Sequence, residues 1–154
     1  MSNIVKAVPD RYPGITPYLI CKNAEAAIEF YKRAFGAEEI LRLGQPGMVG
    51  HAEMTIGNAV FMLADEFPQN GALSPQTVGG TPVSLYLFVE DVDAFTEKAV
   101  AEGLKVVKPV ADQFYGDRSG HFEDPFGHHW GFATHKEDLT EDELNARAKA
   151  AHGG

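Results

Sequence analysis

The sequence predicts an α+β chain built from two paired βαβββ modules, and two observations lead to that expectation. The pattern Gly50-His51-Ala52-Glu53 with Gly57 returns as Gly120-His121-Phe122-Glu123 with Gly127, at one offset of 70 residues throughout. A register shared over a whole segment marks one supersecondary unit used twice. Tyr18 and Asn23 match Tyr86 and Asp91 at a slightly different offset of 68, so the length differences fall in the connections. Within each copy, hydrophobic spacing reads strand, helix, then three strands.

Residues 1–14 form an extended lead-in. Module 1 (15–66) opens with a strand from Ile15 to Cys21. Asn23 caps a helix from Ala24 to Ala34, in which Ala27, Ile28, Tyr31 and Phe35 recur at helical spacing, and Gly36 stops it. Strands are expected near Glu38 to Leu43, Val49 to Ile56 and Ala59 to Asp65, with Gly57-Asn58 as a tight hairpin. Residues 67–81 are a proline- and glycine-rich linker loop. Module 2 (82–135) repeats the order: strand Val83 to Val89, helix Val92 to Glu102, then strands Lys105 to Pro109, Gly120 to Glu123 and His128 to Thr134. In the tail (136–154), Thr140 and Glu143 make a capping box for a polar helix, Glu141 to Ala151, suited to the surface or to a partner chain.

Composition narrows the function classes. The chain has 154 residues, 44% hydrophobic and 23% charged, enough for a real core. A formal charge of −9 with no basic cluster argues against a nucleic-acid partner. No apolar run approaches the ~20 residues of a membrane span, and the N-terminus lacks the pattern of a signal peptide, so a cytoplasmic location is expected. Cys21, the one cysteine, cannot form an internal disulfide and sits in an apolar stretch that suits buried packing. A nucleophile elbow, a phosphate-binding glycine loop, a dinucleotide fingerprint and a Cys-x-x-Cys pair are all absent from the sequence.

Strand alternation nominates the side chains of an open sheet face. Val83, Leu85, Leu87 and Val89 are uniformly aliphatic and should pack beneath helices, leaving Ser84, Tyr86 and Phe88 on the other side. The matching set in module 1 is Thr16, Tyr18 and Ile20. His51, Glu53 and Thr55 share one face because their spacing is two, and His121 and Glu123 repeat the arrangement. In the last strand Trp130 and Phe132 suit the helix side, leaving His129 and Gly131 open.

Each His-x-Glu pair reads first as a hydrogen-bonded polar pair structuring its sheet. The other readings are pocket lining and, with His129, metal ligation. Tyr18, Tyr86 and Phe88 either stack on a planar ligand or pack as core aromatics. Arg118 either reaches an anionic ligand or pairs with Asp117 or Asp112.

The duplication, the segment Ala24 to Gly36, the Gly50-His51-Ala52-Glu53 strand and the stretch Tyr115 to Trp130 together resemble the vicinal-oxygen-chelate superfamily. Within it the closest likeness is to the PhnB-like, glyoxalase and bleomycin-resistance branch. The resemblance covers about residues 9 to 139. It implies a curved mixed sheet with a concave cavity, and in the metal-dependent members it implies ligands on the first strand of each module and on the last strand. Those positions here are Thr16, Ser84 and Gly131, which are poor ligands beside imidazole or carboxylate.

The expected function is therefore binding of a small, partly aromatic organic molecule, of sequestration or resistance type and without a metal. The expected lining is Tyr18, His51, Glu53, Tyr86, Phe88, Arg118, His121, Glu123 and His129, with no metal ligand or catalytic residue assigned. A homodimer is expected. The alternative is a metal-dependent lyase, isomerase or dioxygenase that uses His51, Glu53, His121 and Glu123 as displaced ligands for a divalent metal.

Overall fold

The computed structural model describes residues 4–153. The chain divides between Val78 and Gly79 into two compact units. Unit 1 contains β1 (Tyr18–Cys21), α1 (Ala24–Phe35), β2 (Glu38–Gln45), β3 (Met48–Ile56), β4 (Ala59–Asp65) and the short helix α2 (Pro75–Val78). Unit 2 contains β5 (Ser84–Phe88), α3 (Val92–Ala101), β6 (Lys105–Asp112), β7 (Asp117–Glu123), β8 (His129–His135) and α4 (Glu141–Ala151). The mixed sheet expected from the sequence is hydrogen-bonded as two four-stranded sheets, one per unit, ordered β1-β4-β3-β2 and β5-β8-β7-β6. In each, the first strand runs parallel to the last, and the remaining pairs are antiparallel.

Helix α1 forms where capping and periodicity agree. The Asn23 side chain accepts from the Ala26 amide, and Gly36 ends the helix in the left-handed region at φ 68°, giving its N–H to Tyr31. The apolar stripe of Ala27, Ile28 and Tyr31 is fully buried, as are Ala52, Met54 and Leu63 of the sheet. Each large apolar side chain buried in this way contributes about 1.5–3 kcal/mol. Glu39 of β2 accepts from Lys32 of α1 and from Arg42, and these cations, Arg42 foremost, hold its carboxyl down to about 2.

In each unit one side chain ties the helix start to the end of the last strand. Asp65 accepts from the Ala24 amide at 2.7 Å and from the Val49 amide at 2.7 Å. Thr134 accepts from the Val92 amide at 2.9 Å and donates to the Val89 carbonyl at 2.8 Å. The β7–β8 connection is organised by Asp124, 3% exposed, which accepts from the amides of Phe126 and His128 and from the indole N–H of Trp130.

Several element boundaries differ from the sequence expectation. The first strand begins at Tyr18 instead of Ile15, which is fully exposed; Pro17 has no amide to offer β4. Strand β6 runs past Pro109 to Asp112, because it is an edge strand with register shifts on both sides of Lys108 that accommodate the proline. Strand β7 starts at Asp117 instead of Gly120. The loop after β4 carries a 3₁₀ turn at Pro68–Asn70 as well as α2. Val83, expected beneath a helix, lies ahead of β5 and is 62% exposed. Cys21 and Trp130 are buried, and the capping box of α4 is formed.

Replacing Asp124 by Ala strips two buried donors and one part-buried donor of their acceptor. The expected loss is about 2–4 kcal/mol, read as a lower urea midpoint with an unchanged m-value.

Candidate functional site

In unit 1 the open sheet face carries a continuous hydrogen-bonded chain. Period-two alternation buries Ala52 and Met54 against the helix and turns His51 and Glu53 the other way. The Tyr18 hydroxyl lies 2.8 Å from His51 Nδ1, and His51 Nε2 lies 2.7 Å from Glu53 Oε2. Tyr12 closes the inner end by donating its hydroxyl to Glu53 Oε1. His51 and Glu53 are shielded, with side chains 23% and 12% exposed, whereas Tyr18 is 47% exposed. Burial nonetheless pushes the Tyr18 phenol above its ordinary value, so it keeps its proton at neutral pH. Tyr12 was assigned by sequence only to an extended lead-in; its partner is 41 residues away, beyond the reach of any periodicity.

Unit 2 presents a different arrangement from the same sequence pattern. His129 Nε2 lies 3.2 Å from Glu123 Oε1. The Tyr86 ring lies beside Phe88 and His121, with centroids 5.4 Å and 6.4 Å apart. Burial raises the Tyr86 phenol, and nearby the Tyr115 and Ser119 hydroxyls pair at 3.1 Å.

The two sequence repeats thus stand in different rows of their sheets. In unit 1 the row through Tyr18 runs to Met62 and then Glu53. In unit 2 the row through Tyr86 runs to Gly131 and then His121, and Glu123 falls in the row of Ser84 and His129. The β3–β4 hairpin turns on two residues, Gly57 and Asn58, while β7 and β8 are joined by Asp124 to His128. Relative to the tyrosine row, the second His-x-Glu pair is displaced by two residues, which preserves its face and changes its neighbours.

Residues 14–132 match the family described as the Glyoxalase/Bleomycin resistance protein/Dioxygenase superfamily. The chain belongs to this superfamily. An uncharacterized protein of Mycobacterium bovis is 38% identical over 146 residues, covering 92% of this chain and 96% of the relative. Among solved structures, a gene product of Arabidopsis thaliana is 28% identical with a TM-score of 0.65, covering 79% of this chain and 98% of that one. A PhnB protein of Bacillus cereus is 25% identical with a TM-score of 0.59, covering 78% and 98%.

The divalent metal associated with glyoxalase-type chemistry does not fit the side chains of either unit. Gly131 offers no donor, and a Cβ there would meet the Tyr86 ring at 2.6 Å, so that ring occupies the space a ligating side chain needs. Both ring nitrogens of His51 are engaged by Tyr18 and Glu53. Among the described residues no group of three or more His, Cys, Asp or Glu is gathered so as to hold an ion.

Arg118 stands apart from the other nominated residues. Alternation along β7 turns it to the helix side, where it donates to Asp93 of α3 at 2.8 and 3.0 Å and to Asp112 at 3.2 Å. Its neighbour Asp117, one of the partners expected from the sequence, instead holds His135. Arg118 opens onto a polar recess of about 570 Å³ shared with Asp93, Asp112, Asp117, Lys136 and Glu137, whose excess of carboxylates disfavours an anion.

Both His135 nitrogens face carboxylates, Nδ1 to Asp117 and Nε2 to Asp138, each at 2.7 Å. Only the imidazolium can donate to both, so Asp138 first and then Asp117 raise the His135 pKa. A raised folded-state value means that this pairing stabilises the fold below the unfolded histidine range and is lost as pH climbs through the folded value. The Tm difference between the wild type and His135→Asn is therefore expected to be largest near pH ~6 and to shrink toward pH ~9, as measured by calorimetry in matched buffers.

Proposed function

We propose that this protein binds a small, partly aromatic organic molecule on an open sheet face and sequesters it unchanged, without a metal. The observation that carries this reading is the exposure of Tyr18, Tyr86 and Phe88, at 47%, 45% and 58%, on faces that also bear His51, Glu53 and His121. Large aromatic side chains standing in solvent beside a few polar groups supply contact area and orientation for a planar ligand. Glu53, Glu123 and the net charge of −9 favour a cationic or hydrogen-bonding molecule. Membership of a superfamily whose description includes bleomycin resistance agrees with capture as a function, and the likeness to the Bacillus cereus protein supports placing the chain in the PhnB-like branch.

The same reading includes a cytoplasmic homodimer. A lone, fully buried cysteine suits a reducing compartment, and open faces bearing exposed Leu43, Tyr18 and Phe88 call for cover.

Calorimetric titration with bleomycin and a panel of aromatic cations tests the proposal. The expected result is stoichiometric binding, recovery of the unaltered molecule and indifference to EDTA, with Tyr86→Ala or Tyr18→Ala weakening binding about tenfold. Turnover that EDTA abolishes would replace this reading with a metal-dependent lyase, isomerase or dioxygenase.

A further inference from the structure

We infer that the Tyr18 oxygen is the hydrogen-bond acceptor of the unit 1 face, so that this face selects aromatic molecules carrying a hydrogen-bond donor, phenols and aryl ammonium ions above all. The inference rests on the proposed capture of small aromatic molecules and specifies which of them unit 1 takes.

The direction of every hydrogen bond in the chain follows from its inner end. A carboxylate has no hydrogen to give, so Glu53 accepts from Tyr12 at one oxygen and from His51 Nε2–H at the other. A neutral imidazole with its hydrogen on Nε2 has a bare Nδ1, which must accept from the Tyr18 hydroxyl at 2.8 Å. All the hydrogens of the chain are then committed inward. What remains at the exposed end is a lone pair on the Tyr18 oxygen, with the shielded Glu53 charge behind it.

A ligand O–H or N–H completes this array. An ether or ketone oxygen meets lone pair against lone pair, or must break the Tyr18–His51 bond to be received. Leu43, opposite His51 in register, and Leu41, opposite Glu53, are 54% and 38% exposed and offer apolar surface to the ring that carries the donor. Unit 2 is wired differently: His121 meets Tyr86 ring to ring, and Glu123 is paired with His129.

Two measurements on the full chain test the inference. Long-range ¹H–¹⁵N spectra at pH ~8 report the tautomer of His51 directly, and a hydrogen on Nδ1 instead of Nε2 overturns it without any ligand. Titrations with 4-methylphenol and 4-methylanisole, matched in shape, are followed by chemical-shift changes. The phenol is expected to bind about tenfold tighter at pH ~8, and this advantage should vanish in Tyr18→Phe, which keeps the ring. Equal affinity of both probes for the wild type, with both weakened in Tyr18→Ala, overturns the acceptor role while leaving aromatic capture intact. Failure of both probes and of the wider aromatic panel overturns the two readings together.

Discussion

The arrangement of each open face depends on how the end of the last strand is fastened to the start of the helix. Asp65 receives the first amide of α1 and an amide of β3, and Thr134 receives the first amide of α3 while holding the Val89 carbonyl just after β5. A parallel strand pair has no tight turn to set its register. These side chains supply what a turn would. They fix where β1 lies along β4 and where β5 lies along β8, and so decide that Tyr18 shares a row with Glu53 and Tyr86 a row with His121. The same contact satisfies amides that a helix N-terminus leaves unpaired. One aspartate in unit 1 and one threonine in unit 2 thus join capping to sheet registry.

Much of this could be read from the residues alone, wherever the controlling physics is local. The cap at Asn23, the stop at Gly36 and the capping box at Thr140 are interactions within a few residues, and each forms. Alternation along β3 correctly placed His51 and Glu53 on one face, opposite Ala52 and Met54. Arg118 escaped the same logic because β7 was expected to start at Gly120. Extending the strand to Asp117 puts Arg118 in phase with Gly120 and Phe122, facing α3. Tyr12 could not be found by pattern at all, since its place depends on the path of an N-terminal segment that has no periodicity.

The duplication carries a lesson about repeats. Equal spacing along the chain suggested that His51-Glu53 and His121-Glu123 are equivalent, yet the strand registers place them in different rows. A shift of two residues is silent to burial, because every side chain stays on its own face. It is decisive for hydrogen bonding, because each imidazole acquires new neighbours. In unit 1 the pair is wired to two tyrosines. In unit 2 the carboxylate pairs with His129 and the imidazole lies beside the Tyr86 ring.

The packing of Tyr86 against Gly131 also constrains how this chain could change over generations. Any side chain at position 131 meets the Tyr86 ring, so a donor there requires the half-exposed ring to swing away or to be replaced. A change at position 131 is thus coupled to the placement of the ring that proposed capture depends on.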